Sequence, residues 1–174
     1  MYNTISRMMR TGLLTEPLPA VEEAAPTLET LQQGLLRIVG RALCIRHVDA
    51  GSCNGCELEI QALNNPYYNL EGAGVKFVAS PRHADLLLVT GPVSVNMEEA
   101  LKRTYDAIPD PKFVVAVGDC GACGGIFGTS YASRGRVANV IPVNYTVAGC
   151  PPSPTAILRG ILQTVCSTSS TTSK

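Results

Sequence analysis

Two short segments that are apolar at nearly every position constrain this chain most. They are residues 85–90 (Asp-Leu-Leu-Leu-Val-Thr) and residues 112–117 (Lys-Phe-Val-Val-Ala-Val). A strand that is apolar at consecutive positions is buried on both faces, which is typical of parallel sheets covered by helices. The remaining predicted strands are 44–48, 75–79 and one within 140–147, and the predicted helices between and after them are 57–63, 96–108 and 155–165. This alternation predicts an α/β fold, a flavodoxin-like doubly wound parallel sheet in a single domain.

The ends of the chain differ from this central part. Residues 1–27 carry three prolines among acidic and small residues, and we expect an extended or disordered arm. Leucine, isoleucine and valine recur at helical spacing in 28–43, which predicts an amphipathic helix that packs on this domain or on a partner subunit. The α/β domain is then expected at 44–166. Residues 167–174 are almost all serine and threonine, and we expect a disordered tail.

Composition excludes some classes of function. The 174 residues are 45% hydrophobic and 16% charged, as in a globular protein, and the formal net charge of zero gives nucleic-acid binding no support. No stretch approaches the roughly 20 apolar residues needed to cross a bilayer. The first ten residues lack the apolar core of a signal peptide, so we expect a reducing cytoplasm, where clustered cysteines are more often metal ligands than disulfides.

Four cysteines follow predicted strands in glycine- or proline-rich turns. Cys53 and Cys56 lie in Gly-Ser-Cys-Asn-Gly-Cys-Glu, Cys120 in Gly-Asp-Cys-Gly-Ala-Cys-Gly-Gly, and Cys150 in Gly-Cys-Pro-Pro. The carboxyl ends of parallel strands share one edge of the sheet, so these loops are expected to converge there. Four thiolates supplied in this way are what a cubane iron–sulfur cluster requires.

The seven cysteines also allow other arrangements. The pair Cys53 and Cys56 alone suits a zinc site or thiol–disulfide exchange, and with the second pair, Cys120 and Cys123, it could form a four-cysteine zinc site. The proline directly after Cys150 favours a cluster, since this recurs in ferredoxin-type motifs. Cys123 in place of Cys120 stays open. The remaining two cysteines, Cys44 and Cys166, are expected to be small hydrophobic residues.

These motifs, in this order, resemble the small subunit of nickel–iron hydrogenases and the homologous iron–sulfur subunit of respiratory complex I. The similarity runs from Arg46 to Val165 and includes residues 80–91 and 105–112. Complex I subunits typically carry adjacent cysteines where this chain has a spaced pair. Uptake hydrogenases add a second domain and an export leader that are not expected here. The chain is therefore most similar to energy-converting, membrane-bound hydrogenases, including the hydrogenase part of formate hydrogenlyase.

The resemblance implies a function. Cys53, Cys56, Cys120 and Cys150 would hold one 4Fe–4S cluster next to the nickel–iron site of a separate large subunit. The chain would then be the electron-transfer subunit of an oxidoreductase and would not be catalytic alone. Implied partners are that large subunit, a ferredoxin-like iron–sulfur subunit and integral membrane subunits, with peripheral attachment at the cytoplasmic face of the cell membrane. The alternative is a complex I-like subunit that passes electrons to quinone.

Three further residues have implied roles. Glu57 resembles a glutamate beside the cluster in hydrogenases, which implies proton movement or an interface hydrogen bond; a carboxylate at a helix start is the other interpretation. Arg82 and His83 lie in a segment that approaches the quinone cavity in the complex I relative. They would couple cluster redox changes to a membrane arm, or else form an ion pair with Asp85.

Overall fold

Five parallel strands form the central sheet of the computed structural model, which describes Ser6, Arg10 and residues 40–169. The strands are β1 Leu43–Asp49, β2 Val75–Phe77, β3 Leu86–Thr90, β4 Phe113–Val117 and β5 Tyr145–Val147. The helices are α1 Gly55–Ala62, α2 Val95–Ala107, α3 Gly118–Cys123 and α4 Pro154–Ser169. Short 3-10 turns occupy Pro81–His83 and Val137–Asn139.

The strand order is β2-β1-β3-β4-β5, and every neighbouring pair is parallel. This is the flavodoxin-like doubly wound order. Strand β2 is added on one side of β1, and β3, β4 and β5 are added in turn on the other side, so the order of strands reverses at the boundary between β1 and β3. The predicted fold class is therefore confirmed. All five strands deliver their following loops to the same edge of the sheet.

The apolar strands divide their side chains between two cores. On β3, Leu86 and Leu88 pack with α1 and α4 on one face of the sheet, whereas Leu87 and Val89 pack with α2 on the other. None of these four side chains is exposed at all. Successive strand residues point to opposite faces, so an uninterrupted apolar run is what a sheet covered on both sides requires.

The ends of several elements differ from the predictions. Residues 28–39 of the expected helix, and the expected arm apart from Ser6 and Arg10, lie outside the described residues. Residues 40–42 are not helical and Leu43 begins β1, so the predicted helix end at 43 was wrong. Helix α4 continues to Ser169, three residues into the segment expected to be disordered. Helix α3 was not predicted, because half of its six residues are glycine or aspartate, which are poor helix formers.

Among the described residues, no helix combines the length and the apolar character that spanning a bilayer requires.

Candidate metal centre

The loop after β1 is folded by one carboxylate and one hydroxyl. Asp49 Oδ1 accepts the N–H groups of Gly51 at 2.8 Å and Ser52 at 2.7 Å, and Ser52 Oγ accepts the N–H of Asn54 at 3.1 Å. Burial works in the opposite direction, but the hydrogen bonds to its carboxylate hold the pKa of Asp49 below its ordinary value. Asn54, at φ 70°, then starts α1. As a result the first cysteine of the pair precedes the helix and Cys56 lies in its first turn.

The junction between β4 and α3 approaches Cys56 directly. Gly118 has a φ of +83° and joins β4 to α3 without an intervening residue. A Cβ atom at this position would lie 2.7 Å from Cys56 Sγ, which is closer than such atoms pack. Gly125 repeats the pattern, because its Cβ would lie 2.7 Å from Cys120 Sγ. Two glycines therefore leave room beside two of the four sulfur atoms.

A pair of hydrogen bonds joins the second and third cysteine loops. Asp119 Oδ1 accepts the N–H of Gly149 at 2.8 Å, and the N–H of Asp119 donates to the carbonyl oxygen of Gly149 at 2.9 Å. A candidate ligand, Cys120 or Cys150, is the next residue along each of these loops. The third loop also reaches the first, because a Cβ on Gly55 would lie 3.6 Å from Cys53 Sγ and 3.8 Å from Pro151 Cβ. The three loops thus meet at the carboxyl edge of the sheet.

The four thiols are close enough to act on one another electrostatically. Burial, followed by the charges of the Glu57 carboxylate and the three other thiols, together raises the pKa of Cys56 to about 11. Burial likewise raises the pKa of Cys120, with contributions from Cys150 and Cys53. Without a cation these two thiols are therefore held in their protonated form. A metal centre would supply the positive charge that stabilises the thiolates.

Three cysteines lie outside this group of four. Cys123 is exposed, and its thiol donates to the carbonyl oxygen of Asp119 at 3.1 Å within its own helix. Cys44 is buried in β1, far along the sheet from the loops. Cys166 lies in the part of α4 whose side chains are not described.

The donor set fits an iron–sulfur cluster. In the described part of the chain no three histidine, cysteine, aspartate or glutamate side chains are close enough together to hold a single metal ion. A zinc ion with thiolates at about 2.3 Å would need such a tight group. A cubane offers a separate iron atom to each cysteine and so accepts sulfurs that stand further apart. Gly118 and Gly125 leave space beside the sulfur atoms of Cys56 and Cys120, as a cluster bound to these sulfurs would require.

Glu57 is buried at this edge and only partly satisfied. The residue is 8% exposed; Oε2 accepts a hydrogen bond from Ser52 Oγ at 2.6 Å, while Oε1 has no hydrogen-bond partner among the described residues. His47 Nε2 lies 3.8 Å from Oε1 and forms a hydrogen bond with Thr90 Oγ1 at 3.0 Å. Burial lowers the pKa of His47, although the carboxylates of Glu57 and Asp49 oppose the shift.

Arg82 and His83 are not brought to the cysteines. They occupy the turn before β3, whereas the cysteine loops follow the strands, and a five-residue strand is roughly 16 Å long. Asp85 does not pair with either of them; its carboxylate accepts hydrogen bonds from Arg41 and from the N–H of Cys44. Asp85 therefore forms an ion pair with Arg41, and the expected ion pair of Asp85 with Arg82 or His83 was wrong.

Several residues of this site were not anticipated from the sequence. They are Asp49 and Asp119, which fold and join the loops, and His47 and Thr90, which lie beside Glu57. An aspartate at or just after the end of a predicted strand, among glycines, was the available signal. The Gly149 that Asp119 contacts is 30 residues away from it, and only the sheet order shows that the two meet.

Large exposed apolar side chains closely follow two of the cysteine segments in the chain. Ile126 and Phe127 directly follow Gly125 and are 94% and 54% exposed, and Leu58, two residues after Cys56, is 56% exposed. Two of the candidate ligands, Cys53 and Cys150, are exposed as well. Exposed apolar side chains that form one contiguous patch are typical of interaction surfaces. We call Leu58, Ile126 and Phe127 the apolar rim.

Comparisons with known proteins agree on the family of the chain. A family model described as the 20 Kd subunit of NADH ubiquinone oxidoreductase matches residues 53–164. The chain is 48% identical to a probable membrane-bound hydrogenase subunit of Pyrococcus furiosus, over 74% of this chain and 77% of that protein. It is 39% identical to formate hydrogenlyase subunit 7 of Escherichia coli, over 82% of this chain but only 56% of that protein.

The chain is also similar to a subunit of an NADH-quinone oxidoreductase and to a chain of a solved respiratory complex. A B-type subunit of the NADH-quinone oxidoreductase of Herpetosiphon aurantiacus is 46% identical, over 62% of this chain and 60% of that protein. Among solved structures, a chain of the membrane-bound sulfane sulfur reductase, an archaeal respiratory membrane complex, superimposes with a TM-score of 0.63 at 32% identity. That superposition covers 78% of this chain and 75% of the other.

Proposed function

This chain belongs to the family of the 20 Kd subunit of NADH ubiquinone oxidoreductase, and from this membership we propose that it is the electron-transfer subunit of a membrane-bound, hydrogen-evolving hydrogenase. Cys53, Cys56, Cys120 and Cys150 hold one 4Fe–4S cluster in this proposal. Its relatives are subunits of oxidoreductase complexes, both hydrogenases and NADH-quinone oxidoreductases. The similarity to the Pyrococcus furiosus hydrogenase subunit, which covers most of both chains, favours the hydrogenase.

The observation that carries the proposal is the meeting of three cysteine loops at one edge of the sheet. Asp119 and Gly149 join two of these loops, and Gly118 leaves space beside the sulfur of Cys56. When bound, a 4Fe–4S cluster accepts and releases single electrons. The chain supplies the ligands, excludes side chains from the space between them and keeps one side of the site buried, which influences the redox potential.

The apolar rim supports a partner at the same edge. Leu58, Ile126 and Phe127 lie close to the ligands in sequence and are exposed, so a large subunit seated there would cover both the rim and the exposed Cys53 and Cys150. We place the nickel–iron site in that large subunit. The ferredoxin-like and integral membrane subunits are further partners, and the chain is peripheral at the cytoplasmic face of the membrane.

Purification of the complex through a tag on this chain tests the proposal. We expect iron and nickel in the purified complex, and a 4Fe–4S signal in the electron paramagnetic resonance spectrum after reduction. Replacing each ligand cysteine by serine should remove that signal, whereas Cys44→Ala, a change outside the site, should keep it. Cys123→Ser decides the open alternative, because loss of the signal there with retention in Cys120→Ser would exchange the two ligands. Zinc in place of iron would refute the cluster.

A complex I-like quinone oxidoreductase subunit is the second candidate. The 46% identity to the Herpetosiphon aurantiacus NADH-quinone oxidoreductase protein supports it. The same purification separates the two candidates, because a complex with iron but without nickel, and with quinone reduction, would replace the hydrogenase by this alternative.

A further inference from the structure

A basic cleft lies at the amino edge of the sheet, opposite the cysteine loops. It has a volume of about 430 Å³ and is lined by Arg41, Lys76, Arg82 and His83, with Val78 among its apolar walls. The four basic residues come from three places in the chain: the approach to β1, strand β2, and the turn before β3. Its volume falls within the range of about 300–1,000 Å³ typical of pockets for small ligands.

The positive charge of the basic cleft is only partly neutralised. Arg41 is paired with Asp85, whose second oxygen accepts a backbone N–H. Lys76, Arg82 and His83 are exposed, and their side chains make no hydrogen bond or ion pair with any other residue in the described part of the chain. In a chain whose formal net charge is zero, this local excess of positive charge is a specific feature.

The carboxylate of Asp110, near the cleft in sequence, pairs with a lysine outside the cleft. Pro109 forms part of the wall of the basic cleft, and the next residue along the chain is Asp110. The Asp110 carboxylate faces Lys112, with 3.8 Å between Oδ1 and Nζ. Its ion-pair partner is thus Lys112 and not one of the cations of the cleft.

We propose that the basic cleft binds a phosphate group, carried either by a lipid headgroup or by a soluble phosphate compound. Two arginines offer planar, bidentate donors and a lysine offers a point charge, which together match the oxygens of a phosphate. Their convergence on a concave pocket suits a compact anion better than an extended acidic peptide, which would need a stripe of charge along the surface. The cleft is built from residues that the cysteine site does not use, so this inference stands apart from the proposed function.

Binding of inorganic phosphate to the full-length chain tests the proposal. The double variant Lys76→Gln/Arg82→Gln removes two unpaired cations from the cleft, and Arg103→Gln/Arg136→Gln removes two exposed cations elsewhere. In calorimetry at low ionic strength, the first variant should bind phosphate about 10-fold more weakly or worse, since charge-assisted hydrogen bonds are lost, and the control should match the unmodified chain within about two-fold. No binding by the unmodified chain, or equal weakening in both variants, would overturn the site, and the first of these outcomes needs no variant to fold.

Vesicles distinguish the two sources of the phosphate. Sedimentation of the chain with phosphatidylcholine vesicles that contain phosphatidylglycerol, but not with phosphatidylcholine alone, and its release by Lys76→Gln/Arg82→Gln, would assign a lipid headgroup. Binding of inorganic phosphate without retention on vesicles would assign a soluble compound. Binding of a polyglutamate peptide but not of phosphate would overturn the proposal in favour of an acidic protein segment.

Discussion

Gly118 shows how one missing side chain leaves room beside a cysteine sulfur. Its φ of +83° disfavours any other residue, and an added Cβ would lie 2.7 Å from Cys56 Sγ. Gly128 also has a positive φ, of +54°, but an added Cβ there would meet no atom within 4 Å. Substitutions at Gly118 and Gly128 can therefore be compared. Both introduce backbone strain, but only the one at Gly118 also removes space beside a sulfur atom.

We predict that Gly118→Ala lowers the iron content of the purified chain far more than Gly128→Ala. Both variants carry backbone strain of about 1 kcal/mol. Only Gly118→Ala also crowds the sulfur of Cys56, and such overpacking typically costs about 1–3 kcal/mol. Iron per chain and the visible absorbance of the cluster measure the effect. Equal iron in the two variants would show that Gly118 is needed for the turn alone.

His47 makes stability depend on pH in a direction that its surroundings determine. Burial lowers its pKa below the ordinary value of 6.5, against the opposing charges of Glu57 and Asp49 and with a smaller lowering effect of Arg46. The unfolded chain thus binds a proton more readily than the folded chain. The stability contributed by neutral His47 is present above about pH 6.5 and is lost as the pH falls through the lower, folded-state pKa.

We predict that His47→Gln flattens the acid side of the stability profile. Glutamine is uncharged throughout and retains an amide that can contact Thr90. The thermal unfolding midpoint of the full-length chain, measured between about pH 7.5 and 5, should fall less for the variant than for the unmodified protein. Parallel profiles for the two proteins would contradict this prediction.

Among the secondary-structure elements, one residue of α3, Asp119, joins two loops that are far apart in the sequence. Asp119, in the first turn of α3, binds the backbone of Gly149 after β5 through both its carboxylate and its N–H. The neighbouring parallel pairing of β4 and β5 brings these loops side by side, and Asp119 sets their separation. The geometry of Cys120 relative to Cys150 follows from this contact.

We predict that Asp119→Ala weakens retention of the cluster, whereas Asp119→Asn largely keeps it. Alanine leaves the N–H of Gly149 without its acceptor, at a cost of about 1–3 kcal/mol, while asparagine still offers an oxygen. The rate of iron loss to a chelator compares the three proteins. Equally fast loss from Asp119→Asn would mean that the charge of Asp119 matters and the hydrogen bond alone does not suffice.

For the folded chain as a unit, the distribution of exposed apolar side chains indicates where it meets a partner. The apolar rim follows Cys56 and Cys120 closely in the chain, whereas Tyr67, 83% exposed, lies beyond the other end of α1 and packs edge-to-face on Tyr68. The rim and Tyr67 are therefore comparable in exposure but differ in position relative to the proposed cluster.

We predict that Ile126→Ser and Phe127→Ser reduce copurification of the large subunit, while Tyr67→Ser does not. Apolar anchors at the centre of an interface often contribute about 2 kcal/mol, so retention of the partner should fall by roughly 10-fold or more. Subunit ratios after affinity purification measure this, with the thermal midpoint of each variant as a check on folding. Loss of the partner in Tyr67→Ser alone would move the interface away from the cysteine edge.

The sequence alone determined the fold class and the choice of candidate ligands. Periodicity is a local property, so the apolar runs in β3 and β4 identified buried strands, and the glycine- and proline-rich turns identified the cysteines that follow them. That these cysteines bind a cluster stays a prediction. The end of the expected helix at 43 was wrong because strand pairing of Leu43 with Val75 overrides helical spacing.

Only the tertiary structure decided which distant groups meet. Asp119 reaches Gly149 because β4 and β5 are neighbours in the sheet, and His47 approaches Glu57 because α1, which carries Glu57, follows directly from the loop after β1. The turn Pro81–His83 lies at the opposite edge from the cysteines because it precedes a strand whose following loop faces the site. Sequence spacing carries no information on these separations, since they depend on the order in which the strands pair.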